Sequence, residues 1–168
     1  MYFKIFQQMK KTLGQLDTWL EKASEHAKTK PFDPTVLMTA RLAPDQFAFA
    51  RQVQIACDTA KAGASRITGK EAPTHADTEA SIDELRARVQ SVVEYLGTYT
   101  EADFASVGSR TVTQPRWEGK IMDAGDYFLE HVVPNFFFHT THVYAILRHN
   151  GVPIGKRDYL GKLSQRMP

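Results

Sequence analysis

The sequence predicts an all-α protein, a four-helix bundle with a long crossover between its third and fourth helices that can carry a small β-hairpin. Three observations predict it. Four segments repeat apolar residues at spacings of three and four, the period of a helix with one buried face. The stretch 98–122 lacks that period and shows strand-like alternation instead. The chain has 168 residues, which is read as one domain over 1–168 and is long enough to bury a sizeable core.

The first helix is predicted from Tyr2 to Ala27, where Phe3, Phe6, Met9, Leu13, Leu16, Leu20 and Ala23 form one stripe. The polar run Thr29 to Pro34 ends it, and an irregular connection follows. The second helix is predicted to begin at Pro44, a good first helical residue, and to stop at Gly69. Its front of Phe47, Phe49, Val53, Ala56, Cys57, Ala60, Ala64 and Ile67 is rich in small residues, so a neighbouring helix should approach closely. Asp45 and Gln52 lie on one flank of that front, Gln54 and Asp58 on the other, as rim positions or, for Asp45, a cap. The third helix starts at the capping box Ser81 to Glu84 and buries Ile82, Leu85, Val89, Val92, Val93 and Leu96. Glu84, Arg86, Arg88, Gln90 and Glu94 read as its solvated face.

In the crossover, Arg110–Gln114 and Lys120–Met122 can pair as a short hairpin, with Trp117 pinning it to the bundle. The fourth helix is predicted from Asp123 to Asn150, with a kink around Glu130 to Pro134, because proline removes a backbone donor. Gly151 and Pro153 stop it. Ile154, Tyr159 and Leu160 of the tail should pack across a bundle end.

The bulk composition excludes several classes of function. Lysine and arginine total 21 against 19 acidic residues, well mixed, so no basic stripe points to nucleic acid. No apolar run approaches a membrane span, and the N-terminus lacks the pattern of a signal peptide, so a soluble, cytoplasmic protein is expected. The single cysteine, Cys57, flanked by Ala56 and Ala60, reads as a small buried residue. No phosphate-binding loop and no nucleophile elbow are present.

Chemistry is best sought on the fourth helix. His131, Asn135, His139, His142, Ile146 and His149 fall within an arc of about 80° at 100° per residue. Four of the six histidines therefore share one stripe. His139 and His142 form an i, i+3 pair that can offer two nitrogens to one ion. A catalytic zinc-type site needs three protein ligands, so the third must come from Asp58 or another residue of a facing helix. Asn135, one turn before His139, can hydrogen-bond it. Three consecutive phenylalanines, Phe136 to Phe138, point in three directions, so at least one should face a partner subunit or the tail.

The segments PNFFFHTTHVYAILRHNGVPIGKRDYLG and RLAPDQFAFARQVQIACDTAKAGASRITG resemble a domain-of-unknown-function branch of the DinB/YfiT superfamily of metalloenzymes. The resemblance covers most of the chain. It implies a DinB-like bundle, often a homodimer. It also implies a divalent metal, zinc or nickel, held by one histidine on helix two and an HxxxH pair on helix four, with thiol-dependent transferase chemistry in some members. Aligned on Leu147-Arg148, the pair falls on Asn135 and His139, and the helix-two ligand falls near Gln52. Two of the three ligands are thus amides.

The expectation is a polar pocket between helices two and four, around Asp45, Gln52, Asn135, His139 and His142, that binds a small molecule with the standard metal set degenerate. Two alternatives stand beside it. One is a divalent-metal-dependent transferase or hydrolase using His139, His142 and Asp58. The other is a non-catalytic structural or stress-related homodimer whose histidines are packing residues.

Overall fold

The computed structural model describes residues 1–167. Its long helices are α1 (Tyr2–Thr29), α2 (Phe49–Thr68) and α3 (Ile82–Gly97), followed by a composite fourth helix. The last consists of α4 (Ala124–Asp126), a π-helical turn over Tyr127–Val132, and α5 (Val133–His149). A short α6 (Lys156–Leu160) closes the chain. Around the bundle the order is α1, α3, α2, α5, with α1 and α2 diagonal.

The helix directions explain the connections. Asp17 meets Arg86 and Lys10 lies by Gly97, so α1 and α3 are antiparallel. Trp19 meets Tyr144 and Tyr2 meets Phe128, so α1 and the fourth helix are parallel. Asp58 meets Arg88 some three turns into α2 and two into α3, and the two helices run parallel. The chain from 69 to 81 must therefore travel back along α2. An extended chain of that length spans about 40 Å, ample for a helix of about 30 Å. This strap is a second long connection that the sequence reading did not anticipate.

Most predicted helix ends are found. Gly69 closes α2 at φ 85°, a left-handed conformation that glycine adopts without steric cost. Ser81 Oγ accepts from the Glu84 amide, and the Glu84 carboxylate accepts from the Ala80 amide. The start of α2 differs. Pro44 and Asp45 form a turn, and the helix begins at Phe49, whose amide donates to the Ala40 carbonyl. The segment before it, with a 3₁₀ turn over Pro34–Thr39, packs Leu37 and Met38 into the core and holds the chain out of helix until Ala48.

The hairpin is reduced to a two-residue antiparallel ladder, β1 (Thr111–Val112) with β2 (Met122–Asp123). Trp117 does pin the crossover, edge-on to Tyr127. The predicted disturbance near Pro134 takes the form of the π turn immediately before it. Gly63 of α2 sits against Val132 at the end of that turn, with no room for a Cβ. Of the phenylalanine triplet, Phe136 is buried and Phe138 is 54% exposed. In the tail, Tyr159 stacks on Trp19 and meets Tyr144 edge-on, packing α6 against α1.

Arg88 departs from the solvated face predicted for it. It is buried and pairs with Asp58, Asp77 and Glu79. Arg51 also pairs with Asp77, and Lys61 joins Asp58 to His75. This cluster tethers the strap to α2 and α3. A buried guanidinium is tolerated here because carboxylates surround it.

Candidate functional site

The side of α2 that faces outward past the core carries Arg51, Ile55, Asp58, Thr59, Ala62 and Arg66, at helical spacing. The fourth helix runs antiparallel to α2 and faces this surface with His131, Asn135 and His139. Together with Gln114 and Arg116 of the crossover they line a half-open cleft of about 420 Å³. That falls in the range of small-molecule sites.

At one end lies a buried polar pair. His139 Nδ1 is 2.7 Å from Gln52 Oε1, and Gln52 Nε2 donates to the Phe47 carbonyl at 3.1 Å. Because the amide nitrogen is used on Phe47, the amide oxygen faces the ring. His139 therefore carries its proton on Nδ1 and donates it. Nε2 is the ring's free acceptor. Both residues are buried, and burial pushes the imidazole down to about pKa 4, with the neighbouring His142 and Arg51 adding to the shift. At neutral pH the ring is uncharged. One turn earlier, Asn135 Nδ2 donates to Thr59 Oγ1 at 2.7 Å.

At the other end the π turn organises two arginines. Arg66 donates to the Tyr127 hydroxyl at 2.8 Å, and Arg116 lies 3.2 Å from His131 Nε2. The Tyr127 and His131 rings are 5.4 Å apart. Burial and then the charges of Arg116 and Arg66 hold the His131 ring below its ordinary pKa.

Gln52 and His139 meet directly, and Asn135 lines the same cleft but bonds Thr59 instead of the His139 ring that the sequence offered it. His142 lies outside the cleft, with Nδ1 on the Phe138 carbonyl at 2.7 Å and its ring against Phe138. Asp45 is exposed in the turn before α2. Asp58 touches the cleft but is held by Arg88 and Lys61. Among the described residues, no group of three or more His, Cys, Asp and Glu side chains is placed to hold a metal ion. Cys57 is fully buried beside Arg88, and burial pushes its thiol up to about 12.

Sequence reasoning missed Arg51, Thr59 and Arg66, although their spacing on α2 was a usable signal. It also missed Gln114 and Arg116, which arrive from the aperiodic crossover. A depression of about 460 Å³ between α1 and the start of α3 is larger than the cleft, but three carboxylates outnumber its two cations and it contains no histidine.

Residues 1–160 match the family model described as Domain of unknown function (DUF1993). No curated protein matches the chain. The crystal structure of a DinB family member protein from Shewanella denitrificans is similar, with 47% sequence identity and a TM-score of 0.93. The match covers 97% of this chain and 93% of that one. The chain thus belongs to the DUF1993 family of unknown function and has the fold of a DinB family member.

Proposed function

We propose that the protein binds a small molecule in the cleft between α2 and the fourth helix, without a resident metal. The observation that carries this reading is the Gln52–His139 hydrogen bond beside a half-open polar cleft. The positions that would hold a metal by resemblance are filled by two amides and one imidazole. Both amides are already engaged, Gln52 with Phe47 and His139, Asn135 with Thr59. This donor set does not fit a divalent transition metal, which prefers imidazole, thiolate or carboxylate ligands. His142 and Asp58 do not complete the set, since each is turned to other partners.

His139 Nε2 is an acceptor for a ligand N–H or O–H. A neutral imidazole held in one tautomer by a buried amide is a fixed recognition element. The exposed Phe138 supports a second copy of the chain as partner, making a homodimer. Sedimentation of the wild type and Phe138→Glu tests that element, and a wild-type monomer overturns it.

The test of the main reading has two arms. Untagged protein should contain well under one metal equivalent, whereas stoichiometric metal that disappears in His139→Ala would refute the metal-free reading. Ligand-induced rises in melting temperature should vanish in Ile55→Trp, which projects an indole into the cleft. Rises that survive this change place the ligand elsewhere.

A further inference from the structure

We propose that the ligand of this cleft is anionic, a carboxylate or a phosphate monoester, with its charged group held between Arg66 and Arg116. This inference rests on the cleft being the ligand site.

The first support is charge accounting. Three arginines line the cleft, and Asp58 is its one acidic side chain. Arg51 is paired with Asp77, and Asp58 is taken by Lys61 and Arg88. Among the described residues, Arg66 and Arg116 make no ion pair and have only neutral partners, the Tyr127 hydroxyl and the His131 ring. The chain's charges are otherwise nearly balanced, at a net +2. Two exposed guanidiniums without a carboxylate partner, one from α2 and one from the crossover, are therefore a local excess at the cleft.

The second support is their shared anchoring. Tyr127 and His131 both belong to the π turn, and their rings are 5.4 Å apart. Each arginine donates to one of them. Both arginines are exposed at the rim of the cleft, and the charges of both bear on the same His131 ring. Guanidinium groups bind carboxylate and phosphate through paired N–H donors.

The third support is independent of charge. Gln114 lines the same cleft, is only 8% exposed, and its Nε2 has no hydrogen-bond partner among the described residues. Buried donors are normally satisfied. That nitrogen is covered from solvent, so the amide meets an acceptor-rich group by turning its donor toward the cleft. The cleft is larger than an inorganic ion needs, and its far end offers Ile55, Phe47 and His139 Nε2. The ligand this describes has an anionic head and a ring-sized body.

Calorimetric titration of the full chain with phenylacetate, phenyl phosphate, inorganic phosphate and the neutral phenylacetamide tests the inference. At least one of the two aryl anions should bind saturably and more tightly than phenylacetamide. Which one does so distinguishes a carboxylate from a phosphate ligand. Arg66→Gln and Arg116→Gln should each weaken that binding by about 10- to 100-fold, the loss of a charge-assisted hydrogen bond. Arg157→Gln, on α6 outside the cleft, should leave it unchanged. If a glutamine variant does not fold, Arg66→Lys and Arg116→Lys keep the charge, lose the fork, and should still weaken binding.

The inference is overturned if no anion saturates, if both arginine variants bind like the wild type, or if Arg157→Gln weakens binding equally. Phenylacetamide binding that is lost in Ile55→Trp, with no anion preference, overturns the anionic ligand and leaves the pocket reading standing. Anion binding that depends on the arginines but is indifferent to Ile55→Trp overturns the pocket reading instead.

Discussion

Replacing His139 with glutamine should flatten the acid limb of the protein's stability profile. The folded ring has a pKa of about 4, against about 6.5 for an unperturbed histidine. Between those two values the unfolded chain binds more protons than the folded one, so stability rises with pH across this window. The contribution is fully present above pH 6.5 and is lost as the pH falls toward 4. From pH 7 to pH 4.5 the loss amounts to about 2–3 kcal/mol for this one ring. His75 and His131 are also shifted down, and Asp77 and Glu79 lose their ion pairs in acid, so the wild type alone does not isolate His139. The difference between wild type and His139→Gln does. Urea denaturation at both pH values should show the variant losing about 2–3 kcal/mol less than the wild type. The NMR titration of the His139 ring should show a midpoint well below 5. Equal losses in the two proteins, or a midpoint near 6, would refute the argument that the ring is buried neutral against Gln52.

The remaining predictions concern the same helix pair. In a double-mutant cycle of Gln52→Leu and His139→Leu, each single change orphans a buried partner and should cost about 1–3 kcal/mol, while the double variant costs clearly less than their sum; additive costs in denaturation would show that the pair is not coupled. Gly63→Ala should destabilise by about 1–3 kcal/mol despite the better helix propensity of alanine, because its Cβ would lie 2.5 Å from Val132 Cγ1. Val132→Ala in the same chain should recover most of that loss on thermal melting. The pair Gln52→His and Asn135→His, added to His139, should create a site that binds one zinc ion in a chelator-competition titration, and weak or multiple binding would show that the two helices do not present these positions to one point.

Much of the bundle was legible because helical burial has a period. The stripes of α1 and α3 and the glycine stop of α2 follow from local rules of spacing and capping. Grouping Gln52 with Asn135 and His139 was legible for the same reason, together with the family resemblance. What escaped was set by tertiary contact. Arg88 looked like a surface residue because its neighbours Arg86 and Gln90 are polar. Its burial depends on a strap whose return path follows from α2 and α3 being parallel, and no local rule states that. The cationic wall escaped because Arg116 comes from the crossover and its relation to Arg66 exists only through Tyr127 and His131.

The histidine stripe shows how one boundary controls a site. On the fourth helix His131, Asn135, His139 and His142 share an angular sector, and angle alone would place them together. The facing wall decides which of them enter the cleft. Val132 lies against Gly63, Asn135 against Thr59 and His139 against Gln52, the register of two antiparallel helices. His142, the next position of the stripe, bonds to the Phe138 carbonyl of its own helix and lies outside the cleft. Pro44 and Asp45 form a turn and α2 begins at Phe49, so this stretch adds no helical residue to the facing wall. His139 is left as the imidazole at this end of the cleft, bonded to Gln52 as a neutral ring, and the charged chemistry of the cleft falls to the arginines at its other end.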